Sequence, residues 1–137
     1  MKSIRRAMIC LAFVILTMAI VAPLWAQDLA GRKELDRADL SGAPGMEVVL
    51  ATVEFRPGDR LTPHIHHGIE IVYILEGGTI EIPGKPPITM PAGGKIQHII
   101  PRDAPHGGWT VVGDKTIKLL TVHVVDKGKP LFDWIKK

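Results

Sequence analysis

From Met46 onward the chain reads as short apolar runs broken by glycine and proline. Met46 to Phe55 is rich in β-branched residues and alternates with the two-residue period of a strand. Ile69 to Leu75 is a second strand, stopped by Gly77-Gly78, and Thr79 to Ile82 is a short one that ends at Pro83-Gly84. Ile88 to Met90, Ile96 to Ile100, Gly108 to Val112 and Thr116 to Val125 follow, and Pro130 to Lys137 is a tail. Strands of roughly four to ten residues between Gly/Pro turns, with no long helical pattern, predict an all-β sandwich or barrel. The expected core is Val48, Leu50, Val53, Ile71, Tyr73, Leu75, Ile80, Ile82, Ile96, Ile100, Leu119, Val122 and Val124, with the choice of face not settled by the pattern.

Upstream, the pattern changes twice. Gln27 to Gly45 is polar, and Lys33 to Leu40 within it suits a short helix or an extended arm, broken by Ser41-Gly42-Ala43-Pro44-Gly45. Residues 1–26 have a basic start (Lys2, Arg5, Arg6), an uncharged apolar run from Ala7 to Ala22, and Leu24-Trp25-Ala26. This is the layout of a secretory signal cut after Ala26. The competing reading is an uncleaved anchor, since about 20 apolar residues can span a bilayer. The expected organisation is thus a signal peptide at 1–26, an N-terminal arm at 27–45 and a barrel domain at 46–137, in a periplasmic or secreted protein without a stable membrane anchor.

Cleavage changes the charge balance. Three of the 17 basic residues lie in 1–26, which leaves 14 against 14 acidic ones. A neutral mature chain with no basic patch gives no reason to expect nucleic acid as a partner. The single cysteine, Cys10, lies in the apolar run, so the mature chain depends on its core and not on disulfides.

The candidate chemistry is concentrated in Gly58-Asp-Arg-Leu-Thr-Pro-His64-Ile-His66-His-Gly-Ile-Glu70. Residues two apart on a strand share a face, so His64 and His66 can aim two imidazoles at one point. Glu70 has the same parity and follows if the strand continues or bends at Gly68. Two nitrogens and a carboxylate, with room for a fourth protein ligand and open positions, suit a divalent transition metal such as Fe, Mn, Ni, Zn or Cu. Three histidines remain as candidates for the fourth place: His98, His106 and His123. Pro63 stiffens the approach to His64, while His67, adjacent to His66, is expected to point outward.

These residues resemble the first motif of the cupins: a glycine, five residues, His-x-His, three or four residues, a glutamate, six residues and a glycine. Gly58, His64, His66, Glu70 and Gly77 match it at every spacing. Pro101, Asp103 and His106 take the proline, glycine and histidine places of the second motif. Asp103 stands where the family has glycine, Thr110 where it has asparagine, and Gly94 is one residue too far from Pro101. The resemblance covers Met46 to Val125 and implies a single double-stranded β-helix barrel, often a dimer. It also implies a metal held by His64, His66, Glu70 and His106.

His98, Trp109 and His123 are candidates to line the cavity, and His98 or Glu81 to act as a base. Trp134 can cover the barrel or a dimer partner. The expected function is metal-dependent chemistry on a small organic substrate, with oxygenase, isomerase and lyase reactions all open. The alternative is a non-catalytic module that binds or senses a small molecule. A third reading gives the arm a structural role, adding a strand to a neighbour's sheet.

Overall fold

The computed structural model describes residues 29–93 and 99–135. The proposed signal segment, His98 and the start of the strand expected at Ile96 lie outside the described residues. Eleven strands are formed among those described: β1 (Arg32–Asp39), β2 (Met46–Phe55), β3 (Arg60–Leu61), β4 (His64–Ile65), β5 (Gly68–Glu76), β6 (Gly78–Glu81), β7 (Ile88–Met90), β8 (Ile99–Ile100), β9 (Trp109–Val112), β10 (Ile117–Asp126) and β11 (Asp133–Trp134). One sheet runs β1-β2-β10-β5-β8, a second runs β3-β9-β6-β7, and β11 pairs with β4. Every pairing is antiparallel. Among the described residues there is no helix, so none crosses a membrane.

Lys33 to Leu40, expected as a short helix or an arm, is the edge strand β1 and pairs with β2 of its own chain. Charges suit that edge: Arg37 bridges Glu34 on β1 and Glu47 on β2, and charged edges resist further strand pairing.

Alternation decides what lies between the sheets. On β10, Ile117, Leu119, Thr121, His123 and Val125 are buried while their neighbours are half-buried. On β2 the inward residues are Glu47, Val49, Ala51, Val53 and Phe55. The main apolar cluster adds Leu61, Ile74, Ile80, Met90 and Val111.

Four of the expected core positions are buried: Val53, Ile80, Ile100 and Leu119. Ile71, Tyr73 and Leu75 are not, being 39 %, 49 % and 39 % exposed. Val48, Leu50, Ile82, Val122 and Val124 are only half-buried. The reason is that β2, β5 and β10 are apolar on both faces, so the pattern gives the period without the side. Glu70 settles it for β5: its carboxylate faces in, and Ile69, Ile71, Tyr73 and Leu75 take the opposite parity. The outer face of β5 and of the middle of β2 and β10 is consequently apolar, with Val122 opposite both Leu50 and Ile71, and Ile99 (61 % exposed) opposite Ile71.

Candidate metal centre

Three short segments and one long strand bring the polar residues together. His64 opens β4, and His106 faces it in an isolated antiparallel bridge, each backbone N–H donating to the other's carbonyl at 3.0 Å. His66 follows two residues on, and Glu70 lies on β5 after Gly68. Gly68 is required there, because a Cβ would stand 2.0 Å from the Val124 carbonyl oxygen of β10. Gly107, at φ +85°, turns the chain beside His106, and a Cβ on it would stand 2.8 Å from the Thr62 carbonyl oxygen.

Asp103 explains a departure noted in the sequence. It adopts φ 58°, the only described non-glycine residue at positive φ. Aspartate tolerates this left-handed region better than most residues, so it can do the turn-making work of a glycine. Its N–H donates to the His66 carbonyl at 3.0 Å, which ties the turn to the centre.

His64, His66, Glu70 and His106 each offer one donor atom, and these atoms all lie within 4.8 Å of one another, a group that can hold a metal ion. His64, His66 and Glu70 are buried, and the His106 side chain is 13 % exposed. Behind each ring a backbone carbonyl meets Nδ1: Thr62 O at 2.9 Å from His64, Leu131 O at 2.5 Å from His66 and Ala104 O at 2.9 Å from His106. A carbonyl only accepts, so each Nδ1 carries a proton, and in the neutral ring Nε2 is the atom left with a lone pair. The Nε2 atoms face inward, and that of His66 meets Glu70 Oε2 within hydrogen-bond reach at 3.2 Å. This is the arrangement by which proteins orient imidazole ligands for metals.

The electrostatics separate His64 from His106. Burial pushes the His64 ring down to about 4 against the pull of the Thr62 carbonyl, so it is neutral at ordinary pH. Burial opposes ionisation of Glu70, but His106, His123 and His66 together hold its carboxyl well below the usual range. Burial also opposes a charge on His106, yet Glu70 beside it prevails and raises the ring. Glu70 Oε2 stands 3.2 Å from His66 Nε2 and 3.0 Å from His106 Nε2. His106 Nε2 nonetheless makes no properly directed hydrogen bond and is shielded from water. A buried nitrogen aimed at a shared point without a partner is costly in a protein alone, and a cation at that point would satisfy it. The residues present therefore fit a divalent metal.

The remaining candidates divide. His123 is fully buried and its Nε2 lies 3.5 Å from Glu70 Oε1, so it joins the centre. Trp109 is half-buried, edge-on to Phe55 at 4.7 Å, and packs on the apolar cluster. Glu81 is exposed on β6 and does not approach as a base. His67 points outward between Asp103 and Asp133, at 3.7 Å and 3.4 Å.

The tail supplies two contacts not expected from the sequence, those of Leu131 and Phe132, and one that was, the cover by Trp134. Besides the Leu131 carbonyl on His66, Phe132 packs against the rings of His64, His66 and His123 at centroid distances of 5.1, 5.0 and 6.1 Å. Trp134 stacks on Phe132 and lies 5.3 Å from His64, so it covers this side of the barrel. The signal was the spacing of Phe132 and Trp134, two apart like a strand with one aromatic face.

No protein-family model matches this chain, and no curated protein matches it by sequence. Solved structures do. A protein with a double-stranded β-helix domain from Klebsiella pneumoniae superposes with TM-score 0.54 at 14 % identity, over 77 % of this chain and 84 % of that one. An oxalate oxidase in complex with the substrate analogue glycolate gives TM-score 0.50 at 22 % identity; 80 % of this chain corresponds to 57 % of the oxidase. The polyketide cyclase RemF from Streptomyces resistomycificus gives 0.49 at 26 % identity, over 78 % and 76 %. At 14 % and 22 % identity the first two likenesses are of fold.

Proposed function

With the cupin double-stranded β-helix fold as premise, we propose that this protein binds one divalent transition metal through His64, His66, Glu70 and His106 and acts on a small organic molecule there. One observation carries the reading: three imidazoles, two buried and one half-buried, have Nδ1 pinned to backbone carbonyls and Nε2 turned toward one carboxylate. When bound, the ion would supply Lewis-acid activation of a substrate oxygen. The chain's own part is to hold that charge. Thr62, Leu131 and Ala104 fix the tautomers, Glu70 supplies a negative charge, and Phe132 and Trp134 keep water from one side. Oxygenase, isomerase and lyase chemistries all fit such a centre.

We further propose export, with cleavage after Ala26, and a homodimer formed through the apolar outer face of the large sheet. One experiment tests metal and export together. Mature protein is purified from its native compartment without chelators and analysed for mass and metal. The expected result is a chain beginning at Gln27 with about one equivalent of metal, and loss of that metal in the His64→Ala/His66→Ala double variant. Unchanged metal in the variant would sink the assignment, and an intact N-terminus would sink export.

The exposed position of Glu81 favours a second reading, a non-catalytic module that binds its ligand without turnover. A compound that raises the melting temperature and is recovered intact would support it; conversion of that compound removes it.

A further inference from the structure

His123 is the one buried imidazole at the centre without a backbone anchor. It stands on β10 directly opposite Glu70 on β5, and both side chains face inward. It is fully buried, 4.6 Å from the His66 ring between centroids, and neither of its nitrogens makes a directed hydrogen bond. Its Nε2 is 3.5 Å from Glu70 Oε1, whereas His66 and His106 both approach Oε2. The two carboxylate oxygens thus serve different partners. His123 also falls outside the set of four whose donor atoms lie within 4.8 Å of one another.

A buried imidazole must place its one N–H somewhere. Glu70 Oε1 is the acceptor within reach of Nε2, and a few tenths of an ångström would bring the pair to hydrogen-bond length. The other three rings differ, with a proton fixed on Nδ1 by a backbone carbonyl and Nε2 turned to the shared point.

We infer that His123 is not a fifth metal ligand but a positioning residue, which donates Nε2–H to Glu70 Oε1 and restricts the carboxylate to one-oxygen coordination through Oε2. The coordination position that a two-oxygen carboxylate would fill stays available to a small molecule with an oxygen donor. This rests on the metal reading above.

The test loads the mature protein with Co(II) and reads its visible absorption, which reports coordination number, and its affinity by competition with a chelator. His123→Leu removes the donor; His123→Gln keeps an N–H at a similar reach. His123→Leu is expected to retain one equivalent, bind it about 10- to 100-fold more weakly, and lose absorption intensity as the carboxylate closes onto the metal with both oxygens. His123→Gln is expected to restore the wild-type spectrum. If His123→Leu keeps the wild-type spectrum and affinity, the inference is overturned. If both variants, folded by circular dichroism, take up no Co(II), His123 is itself a ligand and the inference is again overturned. A wild-type chain that takes no Co(II) defeats the metal reading, and the inference with it.

Discussion

The rings of His64, His66 and His106 are held from behind by carbonyls and from the side by each other, so little of their orientation waits for a ligand. That order has a pH signature. An unfolded histidine takes its proton near 6.5, but folded His64 resists it until about 4. Between those values the unfolded chain binds more protons, and stability rises with pH. Glu70, depressed in the fold, adds a loss in the same direction below 4.5, while His106, raised by Glu70, works the other way. Metal-free protein is therefore expected to lose stability as pH falls from 6.5 to 4, with about 2–3 kcal/mol traceable to His64 at roughly 1.4 kcal/mol per unit. Urea titrations across that range check it, and His64→Asn should flatten the slope; parallel slopes would refute it. At this scale the sequence was informative. His64, His66 and Glu70 follow from strand parity, whereas His106 needed the cupin resemblance, because 36 residues separate it from Glu70. Asp103 was readable only as a departure until its backbone angle was known.

At the scale of elements, β11 and the residue before it matter more than their length suggests. Phe132 is 3 % exposed and packs against three histidines and Trp134. Phe132→Ala should cost about 3–5 kcal/mol, the range for emptying a buried aromatic site. It should also weaken metal binding, because His66 leans on the same segment through Leu131. Denaturant midpoints of the metal-free protein and chelator competition measure the two effects, and an unchanged affinity would show that the tail is packing alone. The strand positions were largely legible, since β-branched runs between Gly/Pro turns leave few other choices. Which face turned inward was not, because apolar residues occupy both sides of β5 and β10. The short β4 and β11 were also illegible: two-residue strands carry no period, and only the partner strand makes them strands.

At the scale of the molecule, the large sheet presents Ile69, Ile71, Tyr73, Leu75 and Ile99 to solvent, each at least 39 % exposed. Contiguous apolar surface of this kind is uncommon on monomers, and the proposed dimer would cover it. β5 carries no charged residue between these positions on that face, and a twofold dimer would set one such patch against its copy. Wild-type protein should sediment at twice the chain mass, and Ile71→Lys at the mass of one chain with its metal content intact. A wild-type monomer would remove the dimer.

The contact between His66 and Leu131 spans 65 residues of sequence. A ribosome delivers the chain from the N-terminus, so His64, His66 and Glu70 are outside long before the segment that fixes the second ring. Until then the first three ligands belong to an unfinished sheet, and an ordered binding site is a property of the folded chain. On the proposed metal reading, selection of the ion would wait until synthesis has passed Leu131. An ion bound at the proposed centre would then be chosen in the surroundings where the chain completes its fold, with availability acting beside the preference of the side chains.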